Sequence, residues 1–514
     1  MHKHPKLIRE VVLGEQNLSV AEFVAVARYN AAVVFSDAYR KRVRESRARV
    51  ETFLNENRRV YGVTTGFGDN VTRVVSPAEA RTLQRNIIRS HAVSVGAPLE
   101  PELVRAIQLA ILNSLGKGFS GVRLELLEQI AALLNNGIIP YAPGEGSVGY
   151  LAPEAHLALV LIGEGKAYVD DKLVSGAEAL ESRRLKPLEL ECKEGLALIN
   201  GTTSVTGIAA LSLFNAMEAS RVADVTASIS LEALRGTVRA FDARYHAVKA
   251  HPEQAQTARV ISALLESSDI AKANIDYRLQ DTYSLRAVPQ VHGASKKTIF
   301  DAQTSILNEL ASCGDNPVVY PLEEDGIAIS GANFDGTYVG IACDSLCIAM
   351  TNLAKISERR CDRMMNSHFS ELPAFLVDNP GLNSGFMIAQ YTAAGLLGEM
   401  KILSHPASVD SVSTCANQED PVSFAYGAAV KAYRISNKLS YVIAIELMAA
   451  LQAIDFHGVQ RASLSTRAVH QLIRPEVQFF AEDRFFQPDI EFINRKVTSG
   501  EIVAVASEAA GIVL

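Results

Sequence analysis

Apolar residues recur at three- and four-residue spacings over residues 103–115, 122–134, 153–162 and 208–234, and again over 338–365, 385–403 and 425–454. That period places them on one side of a helix, or all round a buried one. Alternation over 167–174 predicts a small strand pair instead. No unit of 20–50 residues repeats and no low-complexity tract interrupts the pattern. Up to residue 200 the elements are short and punctuated by Gly and Pro; beyond it the helices lengthen. The pattern therefore predicts a mainly α protein. A smaller, irregular N-terminal domain is expected over 1–200, and a long-helix bundle over 201–514, ending in a tail rich in aromatic and charged residues from 455. Helices this long and this apolar tend to share a core between chains, so an oligomer is expected.

Composition narrows the class. The 514 residues carry 50 Lys+Arg against 57 Asp+Glu, a net charge of -7, which argues against a general nucleic-acid binder. With 48% hydrophobic and 21% charged residues the chain is globular, not disordered. The basic run at 40–49 reads as a solvated helix face. Apolar runs such as 157–162 and 441–445 are shorter than a bilayer span, and Met1-His2-Lys3-His4-Pro5-Lys6 leads into no signal-peptide core. The six cysteines form no Cys-x-x-Cys pair, which fits isolated thiols in a reducing cytoplasm.

Four stretches combine glycine with chemically able side chains. Residues 61–68 (Tyr-Gly-Val-Thr-Thr-Gly-Phe-Gly) hold three glycines and the Tyr61 phenol; alone, they read as a surface loop with a structural tyrosine. Residues 144–156 run Gly-Glu-Gly-Ser-Val-Gly-Tyr-Leu-Ala-Pro-Glu-Ala-His, where Pro153 and Glu154 suit the first turn of a helix. The positive end of that helix would point back at Gly149 and Tyr150. Asn200-Gly201-Thr202-Thr203-Ser204 precedes another helix, which Thr202 or Ser204 can cap, leaving the Asn200 amide near its start. In Gln280-Asp281-Thr282-Tyr283-Ser284-Leu285-Arg286, an arginine beside Tyr and Gln suits a carboxylate, and a structural salt bridge equally well. Together these segments point to helix starts converging on a small anionic molecule. No phosphate loop, dinucleotide fingerprint, zinc-binding His pair or nucleophile elbow is present, and no metal is expected.

At these residues the sequence resembles the aromatic amino acid lyase family, in its histidine-acting branch. The resemblance runs through residues 61–68, 146–156, 200–202, 280–286, 375–388, 405–411 and 482–490. It implies an L-aspartase-like fold and a homotetramer with active sites shared between subunits. It also implies the electrophile 4-methylideneimidazol-5-one (MIO), which members build from Ala-Ser-Gly: the Gly nitrogen attacks the Ala carbonyl, whose oxygen leaves as water, and the Ser side chain loses a second water. Here Gly146-Ser147-Val148-Gly149 is followed directly by Tyr150-Leu151-Ala152-Pro153, with both flanks in register. A fused triad is one non-standard residue without a letter of its own, so the group is expected between Gly149 and Tyr150. Tyr150 itself stands where the family carries Asp.

Carried over residue by residue, the resemblance makes Tyr61 the base that takes the β-proton. A free phenol ionises near ~10, so such a base needs positive helix ends or cations beside it. Arg286 would hold the substrate carboxylate. Asn200, Tyr283 and Gln280 would line the electrophile, with Phe334 packed beside it. Ser90-His91 and Glu419 match the histidine type, where a carboxylate accepts an imidazole N–H. The run Asn333-Phe334-Asp335-Gly336-Thr337 departs from that type after Asn-Phe. The expected reaction is L-histidine to urocanate and ammonia. The alternatives are a sister lyase or 2,3-aminomutase acting on another aryl amino acid, and a non-enzymatic helical assembly if the triad is absent.

Overall fold

A computed structural model of the chain describes residues 4–56, 58–66, 77–320 and 327–514. The helices used below are α1 (Asp37–Asn55), α2 (Pro77–His91), α3 (Pro101–Leu115), α4 (Leu124–Asn135), α5 (Ala152–Leu161) and α6 (Glu194–Ile199). They continue with α7 (Thr203–Ala233), α8 (Tyr283–Arg286), α9 (Val288–Leu310), α10 (Thr337–Met365), α11 (Met387–Leu403) and α12 (Ala425–His457). Every segment with a helical apolar period is a helix. The alternating segment is the antiparallel hairpin of β1 (Lys166–Val169) and β2 (Lys172–Ser175). Asp170 and Asp171 turn it with φ of 48° and 62°, the left-handed pair that a two-residue hairpin loop requires.

The chain divides into two compact units. One comprises Met1–Phe214, Gln303–Asp344 and Pro406–Val430; the other comprises Asn215–Ala302, Ser345–His405 and Lys431–Leu514. This division is discontinuous in sequence, unlike a single cut after residue 200, because α7, α9, α10 and α12 each contribute residues to both units. The first unit holds all of 1–200, runs on to Phe214, and takes in two later segments that return to it.

Two details depart from the sequence expectations. Helical stretches at Glu194–Ala233, Thr337–Met365 and Ala425–His457 are long and apolar enough to cross a bilayer, but 100%, 67% and 83% of their most apolar windows are buried within the fold. Adjacent short runs join into long helices, and helices apolar on most sides belong in a core. In α7, serines inside that core bond back along the helix, as Ser212 Oγ does to Ile208 O at 2.8 Å. The basic run on α1 is not all solvated either. Arg47 and Arg49 are buried, with Arg47 Nη1 donating to Cys192 O at 3.0 Å and Gly121 O at 3.3 Å. All six cysteines are free thiols; four are buried, Cys313 is half-buried and Cys415 is exposed.

Candidate active site

Four helices of the first unit begin around one turn. The Leu151 N–H, at the start of α5, donates to Ile199 O at 3.1 Å, tying that turn to the end of α6 and the start of α7. Gly149 has a φ of +145°, and a Cβ there would sit 2.9 Å from Ser423 Oγ, just ahead of α12. Gly336, just ahead of α10, is as constrained: a Cβ would lie 2.8 Å from Ala425 Cβ and 3.8 Å from the Thr202 methyl. The starts of α5, α7, α10 and α12 thus gather at Gly149–Leu151 with their positive dipole ends together. The helix-start convergence expected from the sequence is present.

The polar residues there are held from a distance in sequence. Asn200 is 9% exposed, and its amide donates to Asn316 O at 3.0 Å and Asp315 Oδ1 at 3.3 Å. Lys193, fully buried, closes the set with an ion pair to Asp315 Oδ2 at 2.7 Å. Thr202 and Ser204 do not cap α7 as the sequence suggested. Glu154 does: its Oε1 accepts from the Ser204 N–H at 2.8 Å and from Thr203 Oγ1 at 3.0 Å. The Glu154 carboxyl reaching over from α5 offers one oxygen that both the Ser204 N–H and the Thr203 hydroxyl can use, which a local hydroxyl does not match. Thr202 Oγ1 turns instead to Glu309. Glu154 is wholly buried, and burial pushes its carboxyl above the usual range against the hydrogen bonds that favour ionisation.

Beside the turn, four expected site residues meet. Tyr150 is buried, its ring edge-on to Phe334 with centroids 5.4 Å apart. Its hydroxyl donates to Glu419 Oε2 at 3.1 Å, and Thr414 Oγ1 donates to the same oxygen at 2.9 Å. Burial first, and then the Glu419 charge, push the phenol's ionisation up, so Tyr150 is a neutral donor. Among the described residues Glu419 Oε1 has no hydrogen bond. His91, at the end of α2, lies within the field of Glu419, but burial outweighs that charge and lowers its pKa. Its Nδ1 faces Ile87 O at 2.8 Å; a carbonyl only accepts, so Nδ1 carries the proton and neutral His91 keeps an acceptor at Nε2.

Tyr61 is half-buried in a turn of the first unit. Its neighbours Val60 and Val63 pack on Val50 and Phe53 of α1, and Gly62 takes a φ of 64°. Phe67 and Gly68, the end of that motif, lie outside the described residues. Gln280, Tyr283 and Arg286 belong to the second unit; Gln280 is exposed and Tyr283 is 73% exposed. Arg286 stacks over the Tyr283 ring at 4.4 Å. Sequence reasoning missed Lys193, Asp315, Glu154, Thr414 and Ser423. Only Glu154 carried a signal, as an acidic residue in a first helical turn.

A family model described as aromatic amino acid lyase matches residues 18–475. A histidine ammonia-lyase of Alkaliphilus oremlandii is 43% identical over 505 residues, 98% of this chain and 99% of the relative. The crystal structure of histidine ammonia-lyase from Trypanosoma cruzi aligns with a TM-score of 0.91 at 38% identity, covering 97% of this chain and 95% of that one. A tyrosine aminomutase from Streptomyces globisporus aligns with a TM-score of 0.91 at 35% identity, covering 97% and 98%. With its helix starts, its Asn200 cradle and near end-to-end likeness to these proteins, the chain belongs to the aromatic amino acid lyase family.

Proposed function

We propose that this carbon–nitrogen lyase eliminates ammonia from L-histidine to give urocanate, using an MIO group fused from Ala-Ser-Gly between Gly149 and Tyr150. The observation that carries the substrate is Glu419, a carboxylate with an open oxygen beside neutral His91. It can accept an imidazole N–H, which a phenyl ring cannot offer, and His91 Nε2 is a second acceptor in the same place.

The residues present fit an MIO group. Leu151, not a glycine, takes φ 77° and ψ −57°, a strained turn conformation of the kind found at functional sites. Asn200, fixed by Asp315 and Asn316, and the four helix starts would hold the group. MIO supplies an electrophile strong enough to make the substrate's amino group able to leave. Tyr61 takes the β-proton, Glu419 orients the ring, and the helix starts stabilise negative charge developing near Asn200. Arg286 holds the carboxylate, and Phe334 walls the pocket.

Gln280, Tyr283 and Arg286 are the part of the site that assembly completes, in a homotetramer with shared active sites. Exposed apolar stripes support assembly: Tyr338, Ile341 and Ile348 on α10, and Ile388, Tyr391 and Ile402 on α11. The free cysteines and acidic charge support a cytoplasmic enzyme with a small-molecule amino acid as partner, and neither nucleic acid nor membrane.

Incubation with L-histidine, L-tyrosine and L-phenylalanine separately, following the conjugated acrylate, tests the substrate; turnover of tyrosine without histidine rejects it. Intact mass tests the group, which adds an Ala-Ser-Gly unit less two waters to the chain. A second reading, a lyase or 2,3-aminomutase for another aryl amino acid, is favoured by one contact. The Tyr150 hydroxyl occupies Glu419 Oε2, so part of the imidazole acceptor is already taken. A β-amino acid product would select the mutase.

A further inference from the structure

Arg286 has one donor already committed. Its Nε donates to the Asp281 carbonyl oxygen at 2.9 Å. A guanidinium can meet a carboxylate through Nε with one Nη, or through its two Nη atoms. With Nε used, only the terminal pair remains for a bidentate contact.

Asp281 is itself pinned. It is 5% exposed, and its Oδ2 accepts the Thr237 N–H at 2.6 Å. Oδ1 has no hydrogen bond and lies 3.9 Å from Arg278 Nη1. Behind it Gly236 leaves no space: a Cβ there would sit 3.3 Å from Oδ2 and 2.7 Å from Leu231 Cδ2. Burying a carboxylate on one hydrogen bond is costly, and burial accordingly raises its pKa against the pull of Arg278, Arg363 and Arg286. What the arrangement achieves is a fixed direction for the Asp281 main chain.

We propose that Asp281 is a positioning residue: its clamp on Thr237 aims its own carbonyl at Arg286 Nε, so that Arg286 receives the substrate carboxylate end-on through Nη1 and Nη2. The inference rests on Arg286 as the carboxylate binder. The test uses the full-length enzyme and two inhibitors sharing a ring, 3-(imidazol-4-yl)propanoate and histamine, of which only the first has a carboxylate. Asp281→Ala should weaken the propanoate by at least about tenfold, the scale of one charge-assisted hydrogen bond, and leave histamine nearly unchanged. Asp281→Asn can still accept the Thr237 N–H and should restore most of the loss. In turnover, KM should rise more than kcat falls. Should Asp281→Ala not fold, Thr237→Pro removes the same N–H from the other side, and its φ of −80° suits the ring. Equal weakening of both inhibitors, or of neither, overturns the proposal. Arg286→Ala separates the two assignments. If it weakens the propanoate while Asp281→Ala does not, only the clamp fails; if it does not, Arg286 is not the carboxylate binder. The pair 3-phenylpropanoate and phenethylamine serves the same comparison if the ring preference is not for imidazole.

Discussion

Asn200 and Asp315 sit buried, the Asn200 amide nitrogen and the Asp315 carboxylate committed to one another, to Lys193 and to the chain around them. Tyr283, by contrast, is 73% exposed, and Leu279 nearby is fully exposed. Both regions carry residues expected at one kind of site, but the proposed reaction would make different demands on them. Stabilising charge that appears only during reaction needs fixed dipoles in a dry setting, so those groups are best locked before substrate arrives. Recognising the substrate's carboxylate needs donors still open to a ligand. Changes to the buried set should therefore act on kcat, and changes to the exposed set on KM.

Tyr61→Phe is the largest test of that contrast. It should lower kcat by about 10²–10⁴, the range for a lost general base, and leave the near-UV absorbance of the electrophile intact. Near-normal turnover removes Tyr61 from the mechanism. Next, Asn200→Ala should lower kcat by about 10²–10³ with little change in KM, as for the loss of a preorganised polar contact beside the helix starts. A loss confined to KM would erase the distinction between the regions. Glu419→Gln should cut the ratio of histidine to tyrosine turnover by about tenfold, the scale of one charge-assisted hydrogen bond; an unchanged ratio refutes its imidazole role.

The smallest effect concerns Glu154 and stability. Its folded pKa is raised by burial, so between the ordinary carboxylate value and the folded one the unfolded chain is ionised and the folded chain is not. Stability from this group is complete below that window and declines as pH rises through it. Glu154→Gln keeps an acceptor for the Ser204 N–H and removes the titration. The Tm of the wild type should thus fall relative to the variant as pH rises above the ordinary carboxylate range; parallel curves would contradict the assignment.

The helices and the hairpin were legible because burial imposes a local period, and periods are written into neighbouring residues. The helix-start cluster was legible because Gly149, Gly201 and Gly336 bring backbone close to polar groups. What supports the cluster was not. Lys193 and Asp315 are 122 positions apart, and Glu154 reaches Ser204 across 50. No local pattern signals which carboxylate such a lysine or helix end will meet. Local capping rules favoured Thr202 and Ser204, and a long-range carboxylate displaced them. Arg47 was misplaced for the same reason, since its carbonyl partners lie off the helix that carries it; Arg49 instead stacks on Phe53 of its own helix.

The gathering of four helix starts at Gly149–Leu151 has a bearing on how such an enzyme diversifies. A field assembled from peptide dipoles is carried by the backbone trace, so drift in side chains leaves it in place. If His91 and Glu419 select the ring as proposed, they could be exchanged for new preferences while the capacity to bear negative charge passed unaltered to each descendant.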